Sequence, residues 1–128
     1  MQIKMTDILN LNSIYTKIKN KSFSVKTTYR MSKLFSVVTK EAEYYSNELN
    51  ELIGKYADRD ENGGFIPAGK DGVQIKKEYI DTVQSRLNDL LNLEVDVPDV
   101  QFSIEDLESG NLTVDEFNIL MPFIKDED

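Results

Sequence analysis

The sequence contains no cysteine, no histidine and no tryptophan among its 128 residues. Without cysteine there is no disulfide framework, which is typical of a protein from a reducing compartment. Without thiolate or imidazole, Cys–His and Ser–His–Asp catalysis and the usual zinc sites are excluded. No apolar run approaches the length of about 18 residues that a membrane span needs, and the first residues lack the apolar core of a signal peptide. We therefore expect a cytoplasmic protein without a membrane span.

The composition is that of a folded acidic protein, with 40% hydrophobic and 30% charged residues and a net charge of −8. The charge is distributed unevenly along the chain. Residues 1–40 hold eight Lys/Arg and one acid, whereas residues 93–128 hold one lysine and eleven acids. Such polarity is typical of a basic arm or an acidic interaction tail, or of two ends that attract each other within one fold. The size of a single domain favours the last interpretation.

A hydrophobic repeat of 3.5 residues predicts one long helix over about 26–56. Apolar residues recur at alternating intervals of four and three, and no Pro or Gly interrupts residues 26–53. A second amphipathic pattern over about 76–92 predicts the antiparallel partner of this helix. Two Gly-rich turn clusters lie between them and predict a small hairpin.

Shorter elements are predicted at both ends of the chain. The N-terminal region is expected to form a short strand and then a helix over about 7–19, with Thr6 as its N-cap. Residues 93–97 alternate as a half-buried strand, and a helical turn follows at 104–109. Thr113 and Glu116 form a capping box for a last helix that Pro122 ends. The prediction is a single domain, 1–128, of the α+β class and mainly helical, with the long helix packed on its antiparallel partner.

The long helix is longer than a 128-residue globule needs. Part of its apolar seam is therefore a candidate surface for a protein partner, since tyrosines flanked by apolar residues make good contact anchors. The candidate partner-binding residues are Tyr44, Tyr45, Leu49, Leu52 and Tyr56. The seam can also pair with a second copy, so a monomer or a homodimer through the long helix is expected. An intramolecular partner costs less association entropy and is favoured.

Two sequence patterns of oxygen-bearing side chains suggest metal-binding sites. Asp58, Asp60 and Asn62, followed by Gly63, match the first half of a calcium loop. The match then fails, because Gly69 occupies the place of the bidentate glutamate, and an ordinary turn is favoured. No cofactor is expected.

The second pattern resembles the all-helical nucleotide pyrophosphohydrolases, whose motif is ExxE followed by ExxD. Glu48 with Glu51 and Glu78 with Asp81 have this spacing, and on facing helices such pairs can bind magnesium and a triphosphate. That family carries a further acidic residue just before the first pair, and this sequence has Asn47 at that position. Solvated helix faces are the favoured interpretation, and this enzyme stays an alternative.

Cations cluster between residues 17 and 33, with aromatic residues interleaved. Such a stretch can neutralise phosphates and stack bases. The acidic balance of the whole chain nevertheless makes nucleic acid an unfavoured partner. The same cations would hold the phosphates if the protein were a sponge for a nucleotide immune signal. The acidic stretch 94–116 is either a solubilising surface or an imitation of a nucleic-acid backbone.

Several short pieces, in their order and spacing, resemble a family of short acidic proteins encoded by bacteriophages and prophages. They are SVKTTYRMSKL (24–34), ELIGKY (51–56), DENG (60–63), LLNLEVD (90–96), IEDL (104–107), LTVDE (112–116) and MPFI (121–124). The function of that family is unknown, so the resemblance assigns no catalytic residue. It implies a location, the cytoplasm of an infected bacterium.

These observations favour a phage-encoded, non-enzymatic protein that acts by stoichiometric binding of a phage or host protein. Its role would lie in virion assembly or in the inhibition of a host defence factor. The alternatives are the magnesium-dependent pyrophosphohydrolase and the nucleotide sponge.

Overall fold

The computed structural model describes residues 1–70 and 72–125. In chain order its elements are β1 (Gln2–Lys4), α1 (Met5–Ile18), α2 (Val25–Tyr56), β2 (Pro67–Ala68), β3 (Gly72–Val73), α3 (Ile80–Leu91), β4 (Glu94–Asp96), α4 (Ile104–Glu108) and α5 (Val114–Leu120). Short 3-10 turns at Lys77–Tyr79 and Met121–Phe123 precede α3 and follow α5. The mainly helical α+β class is confirmed. No helix of the described residues is both long and apolar enough to cross a bilayer.

The long helix α2 takes part in two compact units. Unit 1 comprises Met1–Ala42 with the described part of Leu93–Asp128, and unit 2 comprises Glu43–Asn92. α2 has 32 residues, which at 1.5 Å per residue is about 48 Å. Its bounds agree with the predicted helix at 26–56. The grouping of all 128 residues into one domain stays a prediction.

Most of the buried apolar side chains lie in unit 1. α1 buries one face, which carries Met5, Ile8, Leu11, Ile14 and Ile18. The first half of α2 buries Met31, Leu34, Phe35, Val38 and Ala42. Residues 93–125 complete this core with Val95, Val97, Val100, Phe102, Leu107, Leu120 and Phe123. Because each fully buried large apolar side chain contributes about 1.5–3 kcal/mol, this core accounts for most of the hydrophobic stabilisation of the described residues.

Unit 1 is closed by pairing between the first and last thirds of the chain. β1 pairs antiparallel with β4, with Ile3 opposite Val95. The pairing continues outward, since the Val97 N–H donates to the Met1 carbonyl at 2.8 Å. It also continues into α1, where the Met5 N–H donates to the Leu93 carbonyl at 2.8 Å. The strand therefore runs directly into the helix.

This junction moves the start of α1 and corrects the predicted N-cap. Thr6 lies inside the helix, and Lys4, the last residue of β1, occupies the cap position. The Lys4 N–H donates to the Asp7 carboxylate at 3.2 Å. Asp7, at the third helical position, thus supplies the half of a capping box in which an acid accepts the N–H of the cap residue.

Three ion pairs in the described part of the chain join its basic first third to its acidic last third. The Met1 ammonium lies 2.7 Å from the Asp99 carboxylate. Arg30 lies 3.7 Å from Asp106, and Lys21 lies 3.8 Å from Glu116. The opposite charges at the two ends of the sequence are therefore brought together within unit 1.

Side-chain caps are present at the start of α2 and, as predicted, at the start of α5. The Thr27 N–H donates to Ser24 Oγ at 3.2 Å at the start of α2. In the box at α5 the Glu116 N–H donates to Thr113 Oγ1, and the Thr113 N–H donates to Glu116 Oε1, both at 3.2 Å. Glu116 is also buried, and its Oε2 has no hydrogen-bond partner. This carboxylate depends on Lys21 for charge compensation.

Unit 2 connects α2 to α3 through a small β arrangement. β2 and β3 pair antiparallel, which confirms the predicted hairpin. The segment after α2 joins it, since the Asp58 N–H donates to the Gln74 carbonyl at 2.8 Å. The Lys76 N–H then donates to the Tyr56 carbonyl at 2.9 Å, and the Tyr56 and Tyr79 rings lie 4.8 Å apart. These contacts place the start of α3 at the end of α2.

Replacing Lys21 with methionine is expected to destabilise the protein by about 1–3 kcal/mol, because Glu116 would be left as a buried, unpaired carboxylate. In the double variant Lys21→Met/Glu116→Gln most of this loss is expected to return, since the amide keeps the cap acceptor without the charge. Urea unfolding of the two single variants and the double variant measures the coupling. Lys17→Met, at an exposed position near the end of α1, is the control, and an equal loss in both methionine variants would contradict the assignment.

Two glycine-to-alanine substitutions are expected to have opposite effects. A Cβ at Gly110 would lie 2.5 Å from Phe23 Cε1, so Gly110→Ala is expected to cost about 1–3 kcal/mol by overpacking. At Gly54, within α2, a Cβ meets nothing within 4 Å, so Gly54→Ala is expected to stabilise by about 0.5–1 kcal/mol through helix propensity. Thermal and urea unfolding check both signs. A neutral Gly110→Ala variant would show that Phe23 does not pack as described.

Candidate partner-binding surface

The helix α3 presents an apolar stripe that the protein leaves partly exposed. Ile80, Val83, Leu87 and Leu90 recur at intervals of three and four residues, which places them on one helix face. None of the twelve residues of α3 is buried, and Ile80 is 42% exposed. A surface helix of a globular protein ordinarily buries such a face against the core. This stripe therefore has apolar surface to offer to another molecule.

The five residues predicted from the long helix divide into two groups. Leu52 and Tyr56 are buried and, with Ala57, are the buried residues in the described part of unit 2. Tyr44 is 46% exposed, and Tyr45 and Leu49 are half-buried. The first group stabilises unit 2 itself, and only the second keeps accessible surface. That these residues bind a partner stays a prediction.

Two further aromatic rings of unit 2 are exposed, and the sequence pattern had not assigned them to a binding surface. Phe65 and Tyr79 are both above one-third exposed. The Arg59 guanidinium lies 4.5 Å from the Phe65 ring centroid, in cation–π geometry. The sequence pattern gave no indication that these rings are exposed. Alternating apolar and polar residues predict a strand, but they do not show whether another element covers its apolar side.

The sequence of unit 2 carries many charged residues beside its apolar ones. Residues 43–92 contain ten acids and six Lys/Arg, so the net charge of this range is −4. On α3 the apolar stripe is accompanied by Asp81, Arg86 and Asp89. An apolar centre with a charged rim is the usual composition of a non-obligate protein interface.

The residues of the calcium-like loop form hydrogen bonds within unit 2. Asp60 Oδ1 accepts the N–H groups of Asn62 and Gly64, each at 2.9 Å. Asp58 Oδ2 accepts from the Gln74 amide at 2.9 Å. These bonds form an Asx turn followed by Gly63, whose φ of +80° lies in the left-handed region. The geometry is that of the ordinary turn.

The four acids of the magnesium pattern do not form a metal site in the described residues. Within 1–70 and 72–125, no group of three or more acidic side chains is arranged to hold a metal ion. Glu48 is half-buried, whereas Glu51, Glu78 and Asp81 are exposed. The arrangement therefore offers no carboxylate cluster for metal-assisted hydrolysis.

The basic stretch at 17–33 and the acidic stretch at 94–116 are divided among several roles in unit 1. Lys21 compensates the buried Glu116, and Lys19 lies 5.8 Å from the Tyr15 ring centroid. Asp106 accepts the Ser103 N–H at 2.9 Å in the capping box of α4, whose cap residue is Ser103. Lys26, Arg30 and Lys33 line an open cleft, and Lys125 joins them there. Sequence reasoning missed Lys125, because ninety-two residues separate it from Lys33 and no local pattern links them.

No family model, no curated protein and no solved structure matches the chain.

Proposed function

We propose that the protein is a non-enzymatic binding protein that acts stoichiometrically on a protein partner through unit 2. The observation that carries this proposal is α3, a twelve-residue amphipathic helix with no buried residue. In the same unit, Tyr44, Tyr45 and Leu49 keep accessible surface. Helical faces of this kind bind partners by inserting apolar anchors at helical spacing into a groove or against another helix.

The charge of unit 2 favours a partner of different composition over a second copy. Two copies facing each other would bring together two surfaces whose 43–92 ranges each carry −4. Like charges across an interface are unfavourable, whereas a complementary rim steers association and excludes wrong partners. We therefore propose a partner surface with an apolar centre and a basic rim.

The resemblance to short acidic phage proteins supports a setting for this partner. The protein would act in the cytoplasm of an infected bacterium, on a virion component or on a host defence factor. In both roles a small protein occupies a surface in a one-to-one ratio and needs no catalytic group. The lack of a gathered carboxylate cluster in the described residues gives no support to the pyrophosphohydrolase alternative.

The variant Ile80→Glu is expected to lose the partner, because it places a charge in the apolar stripe. The full-length tagged chain would be used to capture protein from phage-infected lysate, with uninfected lysate beside it and mass spectrometry as the measurement. The expected result is one protein at near-stoichiometric amount, reduced at least tenfold by the substitution. Ile104→Glu in unit 1 is the matched control, since Ile104 is also exposed, at 52%. Equal capture by both variants would contradict the assignment of the surface.

The isolated chain is expected to sediment as a monomer at moderate ionic strength, because like charge opposes pairing of unit 2 with itself. Sedimentation equilibrium at low and high salt measures this. A dimer that forms at both salt concentrations, and that Ile80→Glu dissociates, would show instead that the stripe is an interface between copies.

A further inference from the structure

Unit 1 contains an open cleft of about 690 Å³ between the start of α2 and the segment that precedes α4. The volume lies within the range of about 300–1,000 Å³ that is usual for small-molecule sites. The cleft is independent of the stripe on unit 2, and its walls come from the basic first third and the acidic last third of the sequence. Its chemistry is therefore not that of either segment alone.

Four cations line this cleft. Lys26, Arg30 and Lys33 follow one another at intervals of four and three residues, so they share one face of α2. Lys125 comes from the other side of unit 1, where its N–H donates to the Phe102 carbonyl at 2.8 Å. The Phe102 N–H in turn donates to the Phe123 carbonyl at 2.8 Å. The backbone that carries the fourth cation is thus fixed by a fully buried residue.

The acids in the cleft are already engaged. Asp99 pairs with the Met1 ammonium at 2.7 Å. Asp106 accepts the Ser103 N–H and lies 3.7 Å from Arg30. In the described part of the chain, Lys26, Lys33 and Lys125 have no carboxylate within 4 Å. Within residues 1–70 and 72–125, three lysines with no carboxylate inside 4 Å therefore line one cavity, in a protein whose net charge is −8.

An exposed aromatic ring lies among these cations. Tyr29 lines the cleft and is 65% exposed, although it lies on a helix whose opposite face is buried. The Lys33 ammonium lies 5.6 Å from the Tyr29 ring centroid. Within the described residues, this is an exposed tyrosine beside lysines that have no carboxylate within 4 Å, a combination that can bind a nucleobase by stacking and its phosphates by charge.

We infer that this cleft binds a nucleoside polyphosphate, with the phosphates against Lys26, Lys33 and Lys125 and the base stacked on Tyr29. A small ligand fits better than a nucleic-acid strand. A strand would extend beyond the cleft over a strongly acidic protein, and long-range repulsion would oppose it. A mononucleotide places its charge within the cleft, where the unpaired cations lie.

Isothermal titration of the full-length protein with adenosine triphosphate tests this inference, with tripolyphosphate, adenosine and a single-stranded oligonucleotide as comparison probes. The triple variant Lys26→Gln/Lys33→Gln/Lys125→Gln is expected to weaken ATP binding at least tenfold. Tyr29→Leu is expected to weaken ATP binding about tenfold, within the range of one base stack, and to leave tripolyphosphate binding unchanged. Raising the salt concentration is expected to weaken ATP binding and tripolyphosphate binding alike.

A charge-matched control separates the cleft from general electrostatics. Lys17→Gln/Lys40→Gln/Lys77→Gln removes the same three charges from positions that do not line the cleft. It is expected to leave ATP affinity within about twofold. Circular dichroism and thermal unfolding confirm that each variant folds, and Lys33→Gln alone replaces the triple variant if the latter does not.

Four results would overturn the inference. The first is the absence of any heat of binding with millimolar ATP, and the second is an equal weakening of ATP binding by the cleft variant and its control. The third is a tripolyphosphate affinity equal to the ATP affinity, together with no effect of Tyr29→Leu on ATP binding. The fourth is an affinity for the oligonucleotide above the affinity for ATP. The third would leave a polyphosphate site without nucleoside recognition, and the fourth would identify a strand-binding surface. The test is independent of the proposed protein partner, because unit 2 contributes no residue to the cleft.

Discussion

The antiparallel pairing of β1 with β4 is the constraint on which unit 1 depends. It joins residues 2–4 to 94–96 and so closes a loop of about ninety residues. Closing so long a loop has an entropic cost that grows only slowly with length, but the cost must be offset by contacts made elsewhere. The buried face of α1 and the apolar residues of 93–125 supply those contacts. Partly exposed ion pairs contribute little stability by comparison. The opposite charges of the two ends therefore favour their pairing over other arrangements, but they add little to the free energy of unfolding.

The same constraint explains why α2 is shared by two units. The core that β1, β4 and α1 build covers α2 as far as Ala42. Beyond that residue the helix continues for fourteen residues to Tyr56, and of these only Leu52 and Tyr56 are buried. A unit with so few buried apolar side chains is expected to open locally more readily than unit 1. Some of its apolar residues, Tyr44 and Ile80 among them, keep accessible surface.

Patterns within a few residues of each other predicted the local structure well. The 3.5-residue repeat gave the bounds of α2 to within one residue, and the capping box at Thr113 and Glu116 marked the start of α5. Thr6 failed as an N-cap because a strand ends directly at α1, and the pairing that fixes that strand comes from Leu93. A local signal was present, but a contact distant in sequence decided the outcome.

The candidate sites depended more strongly on contacts between distant residues, and they were predicted less well. Periodicity identified the stripe of α3 as apolar and interpreted it as the face that packs on α2. It cannot show how much of that face the fold covers. Leu52 and Tyr56 were predicted to bind a partner because they belong to the apolar seam of α2, and membership of that seam is also the reason they are buried. Tyr44, on the flank of the seam, is the exposed residue among the five candidates. Lys125 follows Ile124, which forms a β-bridge with Phe102, and this contact between distant segments places Lys125 at the cleft that the α2 lysines line.

The negative charge of the chain is relevant to both proposed surfaces, because at each of them it would exclude one class of ligand. In the proposed binding through unit 2, the acids of that unit would disfavour a second copy and favour a partner with a basic rim. Around the cleft of unit 1, the same excess of acids repels extended polyanions while unpaired lysines keep a local positive potential. A protein that simply needed to bind phosphate would gain from a basic surface overall. An acidic surface that carries a cationic cleft would discriminate instead by the size of the ligand, because a compact anion can lie within the positive potential of the cleft while a longer one also meets the surrounding acids.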